Sequence, residues 1–302
     1  MIAALSSLGQ LVTAGYGRDA LLAGTGIALA AGLVGYVVVL RGQVFAGDAL
    51  SHVAFTGALG ALAFGVDLRA GLYGACVAFA LLAAVLGGRA RGDDTAVGSV
   101  LAWVLGLGAL FLSLYTTRYS GGAGGAGNAG VTVLFGSIFG LSTSGAVVDA
   151  VLGIAAGAVV VAIARPLLFA TLDEAVASAR GVPTRALGAV FLVVLGVTAG
   201  DATQAVGALL LLGLLAAPAG AALHLTSRPY AGLAVAAVTA VVSLWVGLAV
   251  AVVAPSIPPS FSILAAATLA YGVAAAWSHR PGNRSSRPVG EPRRPTAPVG
   301  RG

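Results

Sequence analysis

Two side chains that can bind a metal ion lie close together in an otherwise apolar stretch of the sequence. Asp48 and His52 are four residues apart within residues 47–52, Gly-Asp-Ala-Leu-Ser-His. On a helix this spacing places them on one face, about 6 Å apart along the axis. A carboxylate oxygen beside an imidazole nitrogen suits manganese, iron or zinc better than calcium or an organic solute. The pair is therefore a candidate metal site, to which Ser51 can add a weak oxygen ligand or a supporting hydrogen bond.

A purely structural role for the same residues stays open at this point. Asp48 follows Arg41 by only seven residues and could cap a helix near the membrane interface, while His52 could hydrogen-bond a neighbouring helix. Two ligands are also too few for a closed metal site. The remaining polar candidates lie near the ends of apolar stretches or in the C-terminal tail and are interpreted as structural or interfacial: Asp149, Asp201, His224 and His279.

The composition excludes a water-soluble fold. Of 302 residues, 59% are hydrophobic and 9% charged, whereas soluble domains average roughly 25% charged. Several apolar runs of about 20 residues can each cross a hydrocarbon core about 30 Å thick as a helix. The runs are continuous, without the alternation of a membrane β-barrel, and the 45 glycines favour close helix packing. We therefore predict an all-α, polytopic membrane helix bundle.

The apolar runs predict eight to nine transmembrane helices. The sixth run is only about 15 residues long, so an eight-span arrangement with one half-inserted helix stays open. The predicted domains are a short N-terminal segment at 1–19, a transmembrane domain at 20–277, and a disordered, Arg- and Pro-rich cytoplasmic tail at 278–302. The predicted spans are 20–40, 44–66, 69–88, 95–117, 146–168, 186–200, 204–225, 230–253 and 259–277.

The distribution of arginine predicts the orientation of the chain. With nine spans and a cytoplasmic C-terminus, seven of the ten arginines before the tail fall on the cytoplasmic side, as basic residues do in short loops. The basic tail then needs no nucleic-acid partner, because it is explained as a cytoplasmic retention signal. The glycine-rich run 121–130 lies outside and is predicted to be a flexible linker.

The longest connection on the cytoplasmic side resembles a docking element. In residues 165–185, Thr171 is the predicted N-cap of a short helix with Glu174 three residues later, and Gly181 takes the left-handed stop position. An amphipathic helix at this face can contact another protein. The chain contains no lysine and therefore no P-loop. If transport uses ATP, a separate subunit hydrolyses it and this chain is not itself an enzyme.

Four short segments in a fixed order resemble the permease subunits of the ABC-type manganese, zinc and iron importers. The resemblance extends over residues 21–277. The segments are Arg41 with Gly-Asp-Ala-Leu-Ser-His at 47–52, Asp-Thr-Ala-Val-Gly at 94–98, Leu172-Asp173-Glu174 with Gly181, and Val-Gly-Ala-Leu-Leu at 206–210 with Ala-Pro-Ala at 217–219. Two departures are Thr56, where many members have proline, and Leu172, where the family has phenylalanine.

The resemblance implies a multi-pass protein of the plasma (inner) membrane that works as a homodimer. It implies as partners a cytosolic ATPase and an extracytoplasmic metal-binding protein that delivers the ion, with no permanently bound cofactor. Asp48 and His52 are expected to line the ion path. Leu172, Asp173, Glu174 and Gly181 are expected to couple the permease to the ATPase.

Three other functions are compatible with the same residues. In a proton-coupled secondary transporter, Asp48 and His52 would relay protons without an ATPase. In a permease for metal chelates such as siderophores, a wide apolar path would replace protein ligands. A membrane scaffold would need neither residue. Among metals, an Asp with a His accommodates manganese, zinc and iron alike.

Overall fold

The computed structural model describes residues 9, 11, 13–86, 94–119, 125–208 and 211–278, and within these ranges the fold is all-α without strands. A short 3₁₀ turn, Ile138–Gly140, separates two of its helices. The helices are α1 Gly15–Leu40, α2 Val44–Ala63, α3 Leu68–Leu86, α4 Asp94–Tyr119, α5 Gly125–Phe135, α6 Thr143–Ala162, α7 Ala164–Leu172, α8 Glu174–Ala179, α9 Thr184–Val206, α10 Leu211–Leu225, α11 Pro229–Val253 and α12 Pro259–Ser278.

The predicted helix bundle is confirmed. Within the described residues, seven helices are long and apolar enough to cross a membrane: α1, α3, α4, α6, α9, α11 and α12. Helix α2 has the necessary length, 20 residues, but carries Asp48 and His52. The end of the bundle that carries Arg41 is called the inner end below, because the arginine pattern predicts that it faces the cytoplasm, and the opposite end is called the outer end.

Three details of the sequence-based prediction were wrong. The sixth span is a full helix of 23 residues, α9, and the short helix of 15 residues is instead α10. The predicted span 146–168 is divided, because α6 ends at Ala162 and α7 starts at Ala164. The glycine-rich run was predicted to be a linker as far as Gly130, but helix α5 already begins at Gly125. The predicted tail beyond Ser278 lies outside the described residues.

Helix α1 forms the centre of the bundle. In the apolar part of α1, 78% of the residues are buried within the bundle, whereas in that of α4 only 6% are, so α4 lies at the periphery against α2. Glycines let neighbouring helices approach α1 closely: a β-carbon at Gly153 of α6 would collide with the backbone of Gly26, and one at Gly35 would collide with the backbone of Leu215. Small residues at such crossings are the usual means of packing helices in lipid.

Two left-handed glycines join the outer ends of α5 and α9. Gly136 has φ +75° and Gly207 has φ +99°, conformations that residues with a β-carbon rarely adopt. Each lies against the backbone of the other turn, since the amide of Ala208 donates to Val133 O at 3.3 Å and that of Ser137 to Gln204 O at 3.2 Å. Helix α9 therefore ends in a fixed turn at the outer end.

Candidate functional site

Asp48 and His52 lie together on helix α2, as their spacing predicts. Asp48 Oδ2 and His52 Nε2 are 3.8 Å apart, and the two side chains are 29% and 15% exposed. Helix α2 begins at Val44 with Gln43 at the N-cap position, so Asp48 stands in the second turn and does not cap the helix. The two side chains are thus partly exposed, and a carboxylate oxygen lies close to an imidazole nitrogen.

The imidazole of His52 has one nitrogen without a partner. Its Nδ1 is buried and makes no hydrogen bond in the described part of the chain. His52 therefore makes no hydrogen bond from Nδ1 to a neighbouring helix within the described residues, which argues against the purely structural role considered above. Ser51 is fully buried, and its hydroxyl donates to the backbone carbonyl of Asp48 at 2.7 Å. It supports the helix backbone beneath the pair and directs no oxygen at His52.

The surroundings of the pair explain the glycine that precedes it. A β-carbon at Gly47 would lie 3.2 Å from Leu215 Cδ1, so the absence of a side chain lets α2 approach α10. One turn beyond His52, Thr56 donates from Oγ1 to Val104 O of α4 at 2.8 Å. This hydrogen bond joins α2 to α4. It gives Thr56 a structural role at a position where the resembled family often has proline.

An apolar cavity continues along the same helix toward the outer end. It has a volume of about 450 Å³ and lies between α2, α3 and α4. Thr56 and Gly60, which continue the four-residue spacing of Asp48 and His52, are among its lining residues, with Val53, Gly57, Val104 and Phe111. Neither Asp48 nor His52 is among its lining residues, so this cavity is not part of the candidate metal site.

The described residues contain no group of three or more His, Cys, Asp or Glu side chains that could hold a metal ion. A metal at Asp48 and His52 would therefore have only two of these ligands from one copy of the chain. Closed structural metal sites use about four protein ligands.

The inner connection contains the helix expected from the sequence, with a different N-cap. Asp173 caps α8, because its carboxylate accepts from Val176 N at 2.9 Å. Thr171, the predicted cap, instead belongs to α7 and donates to Leu167 O at 2.6 Å. Gly181 has φ +80°, which confirms the predicted left-handed position. Leu172 is 71% exposed, so an apolar side chain stands at the surface beside Asp173 and Glu174.

A second polar cluster at the outer end was not predicted as a unit. Arg69 Nη2 donates to Asp149 Oδ2 at 3.2 Å, and Tyr73 OH donates to Asp201 Oδ1 at 3.0 Å. The side-chain amide of Gln204, oriented so that its oxygen faces the guanidinium, accepts from Arg69 Nη2 at 2.7 Å. Sequence analysis treated Asp149 and Asp201 separately. The sequence contained one indication of this cluster: Arg69 and Tyr73 are four residues apart and therefore share one helix face, at the predicted outer end of their span.

His224, the other candidate, lies at the inner end. Its ring packs against Tyr271 with centroids 5.5 Å apart, and its Nδ1 is 3.2 Å from Ser278 Oγ. These contacts join α10 to α12 and agree with the structural role expected for it. His279 lies outside the described residues.

Comparison with known proteins gives consistent matches over most of the chain. A family model described as the ABC 3 transport family matches residues 15–278. The chain is 27% identical over 262 residues to the manganese transport system membrane protein MntC of Halalkalibacterium halodurans, covering 86% of this chain and 87% of that protein. It is 29% identical over 211 residues to the manganese import system permease protein ScaB of Streptococcus pneumoniae, covering 68% and 70%.

The fold matches a solved structure. PsaBC from Streptococcus pneumoniae in complex with Fab superimposes with a TM-score of 0.79 at 23% identity, covering 94% of this chain and 98% of the matched chain. This agreement shows that the two chains share one helix arrangement.

Proposed function

Because the chain belongs to the ABC 3 transport family, we propose that it is the permease subunit of an ATP-driven importer of a divalent transition metal ion. Manganese is the first ion to test, since the relatives MntC and ScaB are named for manganese transport. The observation in this chain that carries the proposal is the Asp48–His52 pair, with its oxygen and nitrogen 3.8 Å apart on a partly exposed helix face. Zinc and iron accept the same ligands.

The incomplete ligand set supports transport over storage. An ion in transit must bind well enough to enter and weakly enough to leave. Asp48 and His52 would supply two ligands, with Ser51 holding the backbone beneath them, and water or a second copy of the chain would supply the rest. The Nδ1 of His52 is buried, so Nε2, which lies 3.8 Å from Asp48 Oδ2, would be the nitrogen that binds the ion.

The energy source is assigned to a partner. The chain has no lysine and so no P-loop, and the family resemblance implies a cytosolic ATPase. The exposed Leu172, with Asp173 and Glu174, would form the docking element for that ATPase, and Gly181 would end it. ATP binding and hydrolysis would then shift the bundle between outward-open and inward-open states.

The proposal extends to the wider assembly, as the family resemblance implies. The permease would act as a homodimer in the plasma membrane, with its C-terminus in the cytoplasm, and an extracytoplasmic metal-binding protein would deliver the ion. The chain would hold no permanent cofactor. The predicted domain limits, 20–277 for the permease and 278–302 for the tail, belong to this proposal.

The test is uptake of radioactive manganese and, separately, zinc by vesicles that contain this chain and its ATPase. The double variant Asp48→Ala/His52→Ala is compared with the matched double variant Asp19→Ala/His224→Ala, which removes one Asp and one His elsewhere in the bundle. Asp19 accepts a hydrogen bond from Thr143 at 2.7 Å and stands apart from the pair. We expect ATP-dependent uptake that the first variant loses and the second keeps.

Other outcomes select among the rival functions. Uptake at the wild-type rate by the Asp48→Ala/His52→Ala variant, inserted at normal levels, would refute the assignment of the site. Uptake that needs a proton gradient and no ATPase would indicate a secondary transporter. Uptake of iron–siderophore but of no free ion would indicate a permease for chelates. No metal-dependent phenotype at all would favour a scaffold.

A further inference from the structure

The outer polar cluster of Arg69, Tyr73, Asp149, Asp201 and Gln204 joins three helices and takes no part in the proposed metal site. Arg69 and Tyr73 come from α3, Asp149 from α6, and Asp201 and Gln204 from α9. Their contacts are an ion pair at 3.2 Å, a tyrosine–carboxylate hydrogen bond at 3.0 Å and an amide–guanidinium hydrogen bond at 2.7 Å. These contacts hold the outer ends of α3, α6 and α9 together.

Both carboxylates are buried, and each has one oxygen without a partner. Asp149 is 0% and Asp201 1% exposed. Asp149 Oδ1 and Asp201 Oδ2 make no hydrogen bond within the described residues. Buried polar atoms are normally hydrogen-bonded, so an unpartnered oxygen on each of two neighbouring acids needs an explanation.

The charges of the cluster do not balance if both acids are ionised. Two carboxylates would carry two negative charges, and Arg69 supplies one positive charge. The guanidinium bonds directly to Asp149, which leaves Asp201 as the unpaired acid. An unpaired buried charge costs several kcal/mol in a protein interior, and charges within membrane segments are almost always paired. The cluster therefore lacks one positive charge.

The groups around Asp201 favour a proton as that charge. Those that act on it electrostatically are Asp149, Tyr73 and Arg69. From α1, which also packs on α9, the titratable groups at this end are Tyr16, Arg18 and Asp19, and Asp19 is bonded to Thr143. The parts of α2 and α5 at this end carry no titratable side chain.

A metal ion fits these surroundings poorly. A divalent ion would lie beside the guanidinium of Arg69, which repels it, and no group of three metal-ligating side chains exists among the described residues. Asp201 accepts from Tyr73 through Oδ1, and its Oδ2 is available to carry a hydrogen. A neutral carboxylic acid satisfies the charge count without any added ligand.

We propose that Asp201 binds one proton in the folded protein, and that this proton allows the outer ends of α3, α6 and α9 to pack together. When Asp201 is neutral, Arg69 and Asp149 form a balanced pair. When Asp201 loses the proton, a second buried negative charge faces Asp149 and weakens the contact between the three helices. Asp201 stands six residues before Gly207, the residue that follows the last turn of α9.

The test is thermal unfolding of the full chain in detergent at several pH values from 6 to 9. The folded chain keeps a proton that the exposed carboxylate of the unfolded chain has released in this range, so raising the pH disfavours the folded state. The wild-type melting temperature should therefore fall as the pH rises. Asp201→Asn, which has the shape of the neutral acid, should remove this fall and melt above the wild type at pH 9.

The matched control is Asp149→Asn, the same change at an equally buried aspartate. It removes the ion-pair partner of Arg69 and should lower the melting temperature at every pH. If Asp201→Asn instead lowers it as much as Asp149→Asn, and the wild type shows no dependence on pH, Asp201 is ionised and the proposal is wrong. A rise of the wild-type melting temperature with Na⁺ or Mn²⁺ that Asp201→Asn abolishes would show a cation site and also overturn it.

An infrared measurement tests the proposal without requiring that a variant fold. A protonated carboxylic acid absorbs in a C=O region where carboxylates do not. The wild-type difference spectrum between pH 6 and pH 9 should lose such a band in the membrane-embedded protein, with no matching change in Asp201→Asn where that variant folds. Absence of any protonated-acid band from the wild type at pH 6 would refute the proposal.

Discussion

Replacing Arg69 with leucine tests the ionic contact between α3 and α6. Arg69 is 28% exposed at its side chain and Asp149 is 0% exposed, so the pair is screened little by water. Arg69→Leu leaves Asp149 buried without its partner, which costs about 3 to 5 kcal/mol when a buried pair is broken in this way. We expect a loss of this size in the free energy of unfolding, measured by denaturant titration in mixed micelles.

The double variant Arg69→Leu/Asp149→Leu shows whether the loss comes from the pair. Replacing both partners with apolar residues is often neutral, so we expect the double variant to unfold within about 1 kcal/mol of the wild type. Arg118→Leu is the matched control at the same end of the bundle. Arg118 donates to Ala63 O at 2.9 Å, and losing one hydrogen bond from an exposed charged group costs about 1.5 kcal/mol.

Either of two results would show that the ion pair does not stabilise the contact between α3 and α6. If Arg69→Leu unfolds within about 0.5 kcal/mol of the wild type, as most surface changes do, the ion pair does not hold α3 to α6. If the effects of Arg69→Leu and Asp149→Leu simply add, the two side chains do not interact, because contacting residues show coupling of about 0.5 to 3 kcal/mol in such cycles.

Two further predictions concern helix packing and the inner face. Gly153→Leu should abolish stable folding, because the larger side chain overpacks the crossing of α6 on α1 at a cost of at least about 1 to 3 kcal/mol. Gly74→Leu should fold normally, because no atom lies within 4 Å of a β-carbon at that position. Equal yields of the two folded variants in detergent would contradict this prediction. Leu172→Glu should reduce co-purification of the ATPase at least tenfold without lowering the amount of inserted permease. Leu225, which is 53% exposed at the same end, is the control, and Leu225→Glu should leave co-purification unchanged. Equal recovery of the ATPase with both variants would show that Leu172 is not part of the docking element.

Local features of the fold could be predicted from the sequence. Long apolar runs fix the positions of membrane helices because burial in lipid depends on each segment's own hydropathy. The contact of Asp48 with His52 was predictable for a similar reason, since helical spacing alone brings residues four apart together. The left-handed Gly181 followed from the known way in which helices end.

Features that depend on partners distant in sequence could not be predicted. The C-terminal end of α5 is held by backbone hydrogen bonds between Val133 and Ala208 and between Ser137 and Gln204, and nothing in the local sequence indicates these contacts. Arg69 and Asp149 are 80 residues apart, so their pairing is a result of the fold. The N-cap is Asp173 and not Thr171; both residue types cap helices well, so the local sequence could not distinguish between them.

The composition of α2 has a consequence for how the chain enters the membrane. This helix holds Asp48 and His52 and is absent from the seven helices that are apolar enough to span by themselves. An aspartate costs up to about 2.5 to 3.5 kcal/mol on insertion scales, so α2 is poorly suited to partition alone from the insertion machinery into lipid. It packs along α3, to which a connection of only four residues joins it. The two helices are therefore expected to insert together as a hairpin during synthesis, so that α3 compensates for the polar residues of the proposed site.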